Sequence, residues 1–103
     1  MKNVVPGGIS ALPVDLSGKR VIVTAGAAGI GAAIAAAFAD RGAKVHVCDV
    51  DGQALAACPH PWSRADVSRR EEIDRYMQEA LAQLGGLDVL VNNAGIAGPT
   101  AGI

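Results

Sequence analysis

A turn with almost no side chains sets the limits on what this chain can become. Val21-Ile22-Val23 is a continuous apolar run that leads through Thr24 and Ala25 into Gly26-Ala27-Ala28-Gly29-Ile30-Gly31. Beyond it, Ile30, Ala33, Ile34, Ala37 and Phe38 recur at helical spacing until Gly42 supplies a stop. An unbroken apolar run predicts a strand covered on both faces, as at the centre of a parallel sheet, and the spacing after it predicts a helix. Such a strand-turn-helix unit aims unpaired backbone N–H groups and the positive end of a helix dipole at one point, where absent side chains let an anion approach. The glycine spacing is G-x-x-G-x-G, which is not the dinucleotide fingerprint G-x-G-x-x-G, and Ala32 stands where a P-loop needs lysine. Nucleoside triphosphates are disfavoured. The plain structural alternative is that the glycines serve only helix-to-strand packing.

The rest of the chain repeats the rhythm. Lys44 to Cys48 reads as a second strand with Val45 and Val47 on one side, and Asp51 to Ala57 as a short helix ended by Pro59 and Pro61. A short third strand is expected near Ala65-Val67. Ser68 with Glu71 matches a capping box, and Ile73, Met77, Ala80, Leu81 and Leu84 form one apolar helix face up to Gly85-Gly86. Leu87 to Val91 gives a fourth strand. Strands alternating with helices argue for right-handed crossovers and an α/β parallel sheet. Residues 1–14, rich in proline and glycine, read as a flexible arm ahead of a domain over 15–103.

Composition removes several function classes. Half of the 103 residues are hydrophobic, which suits a buried core, and nine basic against ten acidic residues leave a formal charge of -1. No Lys/Arg cluster is long enough for phosphate-backbone contacts, so nucleic acid is not an expected partner. Pro6-Gly7-Gly8 interrupts any secretory apolar region, and no run is long enough to span a bilayer, so a cytoplasmic protein without a membrane partner is expected. Cys48 and Cys58 lie outside any C-x-x-C arrangement and are expected as reduced thiols. His46-x-Cys48 and Cys58-x-His60 together offer a ligand set that zinc accepts. Against it, their spacing is tighter than usual ligand loops and the strand face should be packed by a helix. A satisfied strand histidine and a buried thiol are the favoured reading, with no metal.

Asp49 narrows the ligand. It ends the second strand about 20 residues beyond the turn, where an acid accepts both ribose hydroxyls of an adenosine and repels a 2'-phosphate. Neither Ala28 nor Val50, the two positions that most often receive that phosphate, is basic. NAD is therefore expected over NADP.

Thr24-Ala25-Gly26-Ala27-Ala28-Gly29-Ile30-Gly31, with Asp49, Asp66-Val67 and Asn92-Asn93-Ala94-Gly95 in that order, resembles the short-chain dehydrogenase/reductase family from Asp15 through about Gly98. The resemblance implies a Rossmann-like doubly wound parallel sheet with partial strand order 3-2-1-4. It also implies cofactor-binding roles for Gly26, Ala28, Ile30, Gly31, Asp49, Asp66, Val67, Asn93, Ala94 and Gly95. In that family the glycine turn holds the pyrophosphate, the acid after the second strand the adenine ribose, and Asp-Val lies beside the adenine. The implied activity is NAD-dependent interconversion of an alcohol and a ketone or aldehyde by hydride transfer.

Two departures from the family pattern stand out. The family places its first glycine directly after the threonine, whereas Ala25 sits there and Gly26 follows, so Gly26 is the residue expected to absorb the strain. The Ser and Tyr-x-x-x-Lys residues that run the family's acid-base chemistry fall beyond N-N-A-G, and none of Lys2, Lys19 and Lys44 follows Asn93. Tyr76, the single tyrosine, reads as an ordinary helix residue. The expectation is therefore an N-terminal, cofactor-binding half with no catalytic residue, inactive as 103 residues alone; the alternative is a non-catalytic dinucleotide-binding module. A small-molecule alcohol or carbonyl substrate is implied only for a longer form, and assembly into a homo-oligomer stays open.

Overall fold

A computed structural model describes residues 14–93 of the chain. Its elements run β1 (Arg20–Thr24), α1 (Gly29–Asp40), β2 (Lys44–Asp49), α2 (Gly52–Ala56), β3 (Trp62–Arg64), α3 (Arg70–Leu84) and β4 (Val89–Val91). All pairings are parallel and the sheet order is β3-β2-β1-β4, as expected from the sequence. Val21 pairs with Val45 on one side and Val89 on the other, so β1 is interior. That position explains its unbroken apolar run.

Helices cover both faces. Val21, Val23, Val45 and Val47 point to the side of α1 and α2, where they pack with Ala35 and Leu55 and are flanked by Ile34, Phe38 and Cys58. Ile22 and Cys48 point to the other side and pack with Ala65, Tyr76 and Ala80, flanked by Ile73, Met77 and Leu84. Val21, Ile22 and Val23 are each fully buried, and burial of such a side chain stabilises by about 1.5–3 kcal/mol. Arg20 ties the start of β1 to the start of β4: its Nε lies 2.9 Å from Asp88 Oδ2, and its backbone N–H donates to the same oxygen at 2.8 Å. These bonds hold the Asp88 carboxyl at about 2. Among the described residues no helix is long and apolar enough to cross a membrane.

Three local expectations need correction. The third strand lies at Trp62–Arg64 rather than near Ala65-Val67, because β2 pairs Val47 with Trp62 and Asp49 with Arg64. Ala65 only extends the ladder by one bond, its N–H donating to the Asp49 carbonyl at 3.0 Å. The capping box is absent: Arg69 is the N-cap of α3 and makes no side-chain cap bond. Ser68 instead turns back onto Asp66, donating from N at 3.0 Å and from Oγ at 2.6 Å, while Glu72 Oε1 accepts the Asp66 N–H at 2.8 Å. Leu81, placed on the apolar face by its spacing, is exposed; Tyr76 takes the central place in that face.

Tyr76 is the largest fully buried side chain, and its Oη shares a 2.8 Å hydrogen bond with Nδ1 of fully buried His46. Burial pushes the Tyr76 hydroxyl pKa upward and that of His46 downward, the latter opposed in part by Gln83 and Glu79. Gln83 lies near the ring, yet Nε2 has no hydrogen bond of ordinary geometry. Removing the hydroxyl orphans Nδ1 in the core, so Tyr76→Phe is expected to cost about 1–3 kcal/mol, read from the denaturant midpoint. Because the folded His46 pKa is lowered, the unfolded chain binds the proton more readily. Its contribution to stability is complete above the ordinary value of 6.5 and is lost as pH falls below it.

Candidate functional site

The end of β1 and the start of α1 enclose the glycine turn, and each glycine there has its own reason. A Cβ on Gly26 would lie 2.9 Å from Val47 Cγ1 and 3.0 Å from the Val23 carbonyl oxygen, so Gly26 is required by close packing. Gly29 has open space around it but takes a left-handed φ of 59°. A Cβ on Gly31 would fall on the Ala25 carbonyl oxygen and 2.8 Å from Asn93 Nδ2. The strain expected at Gly26 sits instead on Ala25, the one non-glycine residue with positive φ among those described, at 53°. Asn93 Nδ2 donates to the Ala25 carbonyl at 3.2 Å, and the Gly26 N–H donates to the Cys48 carbonyl at 3.2 Å, which together hold that conformation. A left-handed L-residue costs about 1–2 kcal/mol, against about 0.4–1 kcal/mol for the added freedom of an unfolded glycine. Ala25→Gly should therefore stabilise the fold by up to about 1 kcal/mol, seen as a higher denaturant midpoint.

The start of α1 is electrostatically open. Its N-cap, Ala28, is extended, gives no side-chain cap bond, and no acid stands in the first turn. By contrast, Asp51 caps α2 through the N–H groups of Gln53 and Ala54, and Glu71 and Glu72 stand in the first turn of α3. The amide groups at the head of α1 are thus left for an anion.

Asp49 closes the turn from the end of β2. Its Oδ2 accepts the Ala27 N–H at 3.1 Å, and Oδ1 accepts those of Val50 at 2.8 Å and Asp51 at 3.2 Å. Oδ1 thus holds two donors, while Oδ2, with one, keeps room for a further donor. Beside it, the Asp66 carboxyl is held below the usual carboxylate range by the bonds from Ser68. A cleft of about 460 Å³ runs across the C-terminal ends of β1, β2 and β3.

Of the residues expected at the site, Ile30, Asp49, Asp66, Val67 and Asn93 line this cleft together. Gly26, Ala28 and Gly31 do not line it; Gly26 and Gly31 are buried beneath the turn and Ala28 is exposed at its edge. Ala94 and Gly95 lie outside the described residues. Ala25, Cys48, Val50, Ala65 and Ser68 also line the cleft and were not singled out as binding residues. Alternation along β2 and the turn at its end could have signalled Cys48 and Val50, and Ala25 is marked by standing where the family pattern has its first glycine.

The histidine–cysteine set does not assemble. Cys48 packs on the α3 side of the sheet and Cys58 on the opposite side, and among the described residues no group of three or more His, Cys, Asp or Glu could hold a metal. Burial raises the Cys48 thiol to about 11, which makes it a poor nucleophile.

Residues 19–102 match the family model described as short chain dehydrogenase. The chain belongs to that family. It is 46% identical over 94 residues to the sex determination protein tasselseed-2 of Zea mays, covering 84% of this chain and 28% of that protein. To an L-fucose dehydrogenase of Oryctolagus cuniculus it is 42% identical over 84 residues, 77% of this chain and 30% of the relative. The chain therefore spans less than a third of the length of these two relatives. Among solved structures, a hydroxysteroid dehydrogenase from Escherichia coli superposes with a TM-score of 0.72 at 36% identity, over 79% of this chain and 37% of that one. A 3-ketoacyl-(acyl-carrier-protein) reductase from Brucella melitensis, complexed with NADH, gives 0.71 at 29% identity, over 74% and 34%.

Proposed function

We propose that this chain forms the cofactor-binding part of an NAD-dependent oxidoreductase that interconverts an alcohol and a ketone or aldehyde. The observation that carries the reading is the meeting, in one cleft, of the uncapped head of α1 with the Asp49 carboxylate. The residues suit a dinucleotide: a turn that Gly31 lets pack closely on the head of α1, free amide groups for a pyrophosphate, and a fixed carboxylate for ribose hydroxyls. Val67 and Ala65 give the far end of the cleft an apolar wall suited to an adenine. The NADH-bound neighbour and the family membership support the same reading.

A nicotinamide dinucleotide supplies hydride transfer when bound. The described residues bind and orient it: the α1 amides neutralise phosphate charge, Asp49 selects the unphosphorylated ribose, and Asn93 fixes the turn through Ala25. Tyr76 takes no part in proton transfer, being buried against His46 and absent from the cleft wall. We assign these residues binding alone, so the 103-residue chain by itself is expected to show no dehydrogenase activity. A small alcohol or carbonyl substrate belongs to a longer form, and a cytoplasmic setting accompanies the reading. Calorimetric titration with NAD and NADP tests it: NAD should bind more tightly, and equal affinity would contradict the assignment to Asp49.

A further inference from the structure

Arg64 is a cation in direct contact with the turn that follows Asp49, and nothing above gives it a role. In the β2–β3 ladder it stands directly opposite Asp49. Its Nε donates to the Val50 carbonyl at 3.1 Å, and its Nη1 lies 3.8 Å from where a Cβ on Gly52 would be. The peptide unit that Arg64 grips follows the one whose N–H is bonded to Asp49 Oδ1 at 2.8 Å, and the next N–H, that of Asp51, bonds the same oxygen at 3.2 Å. One guanidinium thus anchors the two-residue segment that orients the carboxylate. Arg64 also borders a second cleft of about 360 Å³, shared with Val50, Asp66 and Glu72, whose acids make it a poor place for a phosphate.

We infer that Arg64 is a positioning residue for cofactor choice: by holding the Val50 carbonyl it fixes the Asp49–Asp51 turn, and through it the carboxylate that accepts the ribose hydroxyls. The inference rests on the dinucleotide reading above. A charge-assisted hydrogen bond to a carbonyl needs a donor at that point, and arginine supplies it from a rigid fork. With the anchor gone, the turn loosens and Asp49 loses its fixed aim. NAD binding, which uses that aim, weakens, whereas NADP binding, which gains nothing from it, changes less.

Binding of NAD and of NADP to the wild type, Arg64→Met and Arg64→Lys, with thermal melting of each, tests the inference. Arg64→Met is expected to weaken NAD about tenfold and to narrow the NAD-to-NADP ratio, and Arg64→Lys to recover part of both. Equal loss for both cofactors, in step with a lowered melting temperature, would overturn it in favour of a purely structural role. A larger loss for NADP than for NAD would overturn it in favour of direct phosphate contact. An unchanged ratio in Arg64→Met would also overturn it, while a wild type that binds neither cofactor would overturn the dinucleotide reading itself.

Discussion

Gly31→Val is expected to destabilise the fold by about 3 kcal/mol or more and to abolish cofactor binding with it. The Cβ alone would fall on the Ala25 carbonyl oxygen and 2.8 Å from Asn93 Nδ2, and the nearest of these atoms is backbone, which cannot rotate away. Relief would require the head of α1 to move off the end of β1, breaking the Asn93 bond to Ala25 and opening the fully buried Val21–Val23 region to water. Such a loss is a large part of the 5–15 kcal/mol that typically separates folded from unfolded chains. Gly52→Ala is the matched control, since its Cβ meets nothing nearer than Arg64 Nη1 at 3.8 Å. Chemical denaturation of both variants decides the matter: parental stability in Gly31→Val would remove the close-approach account of this glycine.

Asp49→Ala carries the second large effect, and it acts on selectivity. The carboxylate accepts from Ala27, Val50 and Asp51, so its removal frees three backbone N–H groups at the cleft and deletes the charge that opposes a 2'-phosphate. NAD affinity is expected to fall about 10–100-fold. NADP affinity should hold or rise, because the lost repulsion offsets the looser turn. Asp49→Asn keeps an acceptor oxygen without the charge, so it should retain more NAD affinity than alanine while losing discrimination. Titration of both cofactors against both variants separates acceptor geometry from charge.

Much of the fold was legible because its driving forces are local. The apolar run of β1, the helical spacing of α1 and the glycines at Gly42 and Gly85 each name their own element, whereas the placing of β1 between β2 and β4 was implied by the family resemblance. The third strand was not legible: Trp62 and Arg64 are exposed and Ser63 half-buried, so the segment leaves no buried apolar signature, while the buried Ala65 and half-buried Val67 next to it do. Their pairing is set by backbone bonds to β2, which composition does not record. Spacing within α3 does put Tyr76 on the core face, three residues after Ile73 and four before Ala80, but it does not reveal the partner that meets its hydroxyl there, His46, 30 residues away.

The site divides in the same way. Asp49 stands out because an acid at the end of an apolar strand is chemically conspicuous, and the glycine turn because side chains are missing from it. Ala25 stands where the family pattern has a glycine, which is the sign of a left-handed backbone, but alanine itself does not favour that conformation and the contacts from Asn93 and Cys48 hold it. Ser68 matched a capping pattern, yet the Asp66 carboxylate competes successfully for its hydroxyl at 2.6 Å.

The central claim is that one cleft at the C-terminal ends of β1, β2 and β3 takes the adenosine and pyrophosphate of a dinucleotide. Amide chemical-shift mapping of the isotope-labelled chain during titration with NAD tests it most directly. The predicted result is saturable shifts concentrated at Ala25–Gly31, Asp49–Asp51 and Asp66–Ser68, with the amides of α3 from Tyr76 onward unmoved. Saturable shifts centred elsewhere, or none at millimolar NAD in a folded chain, would contradict it.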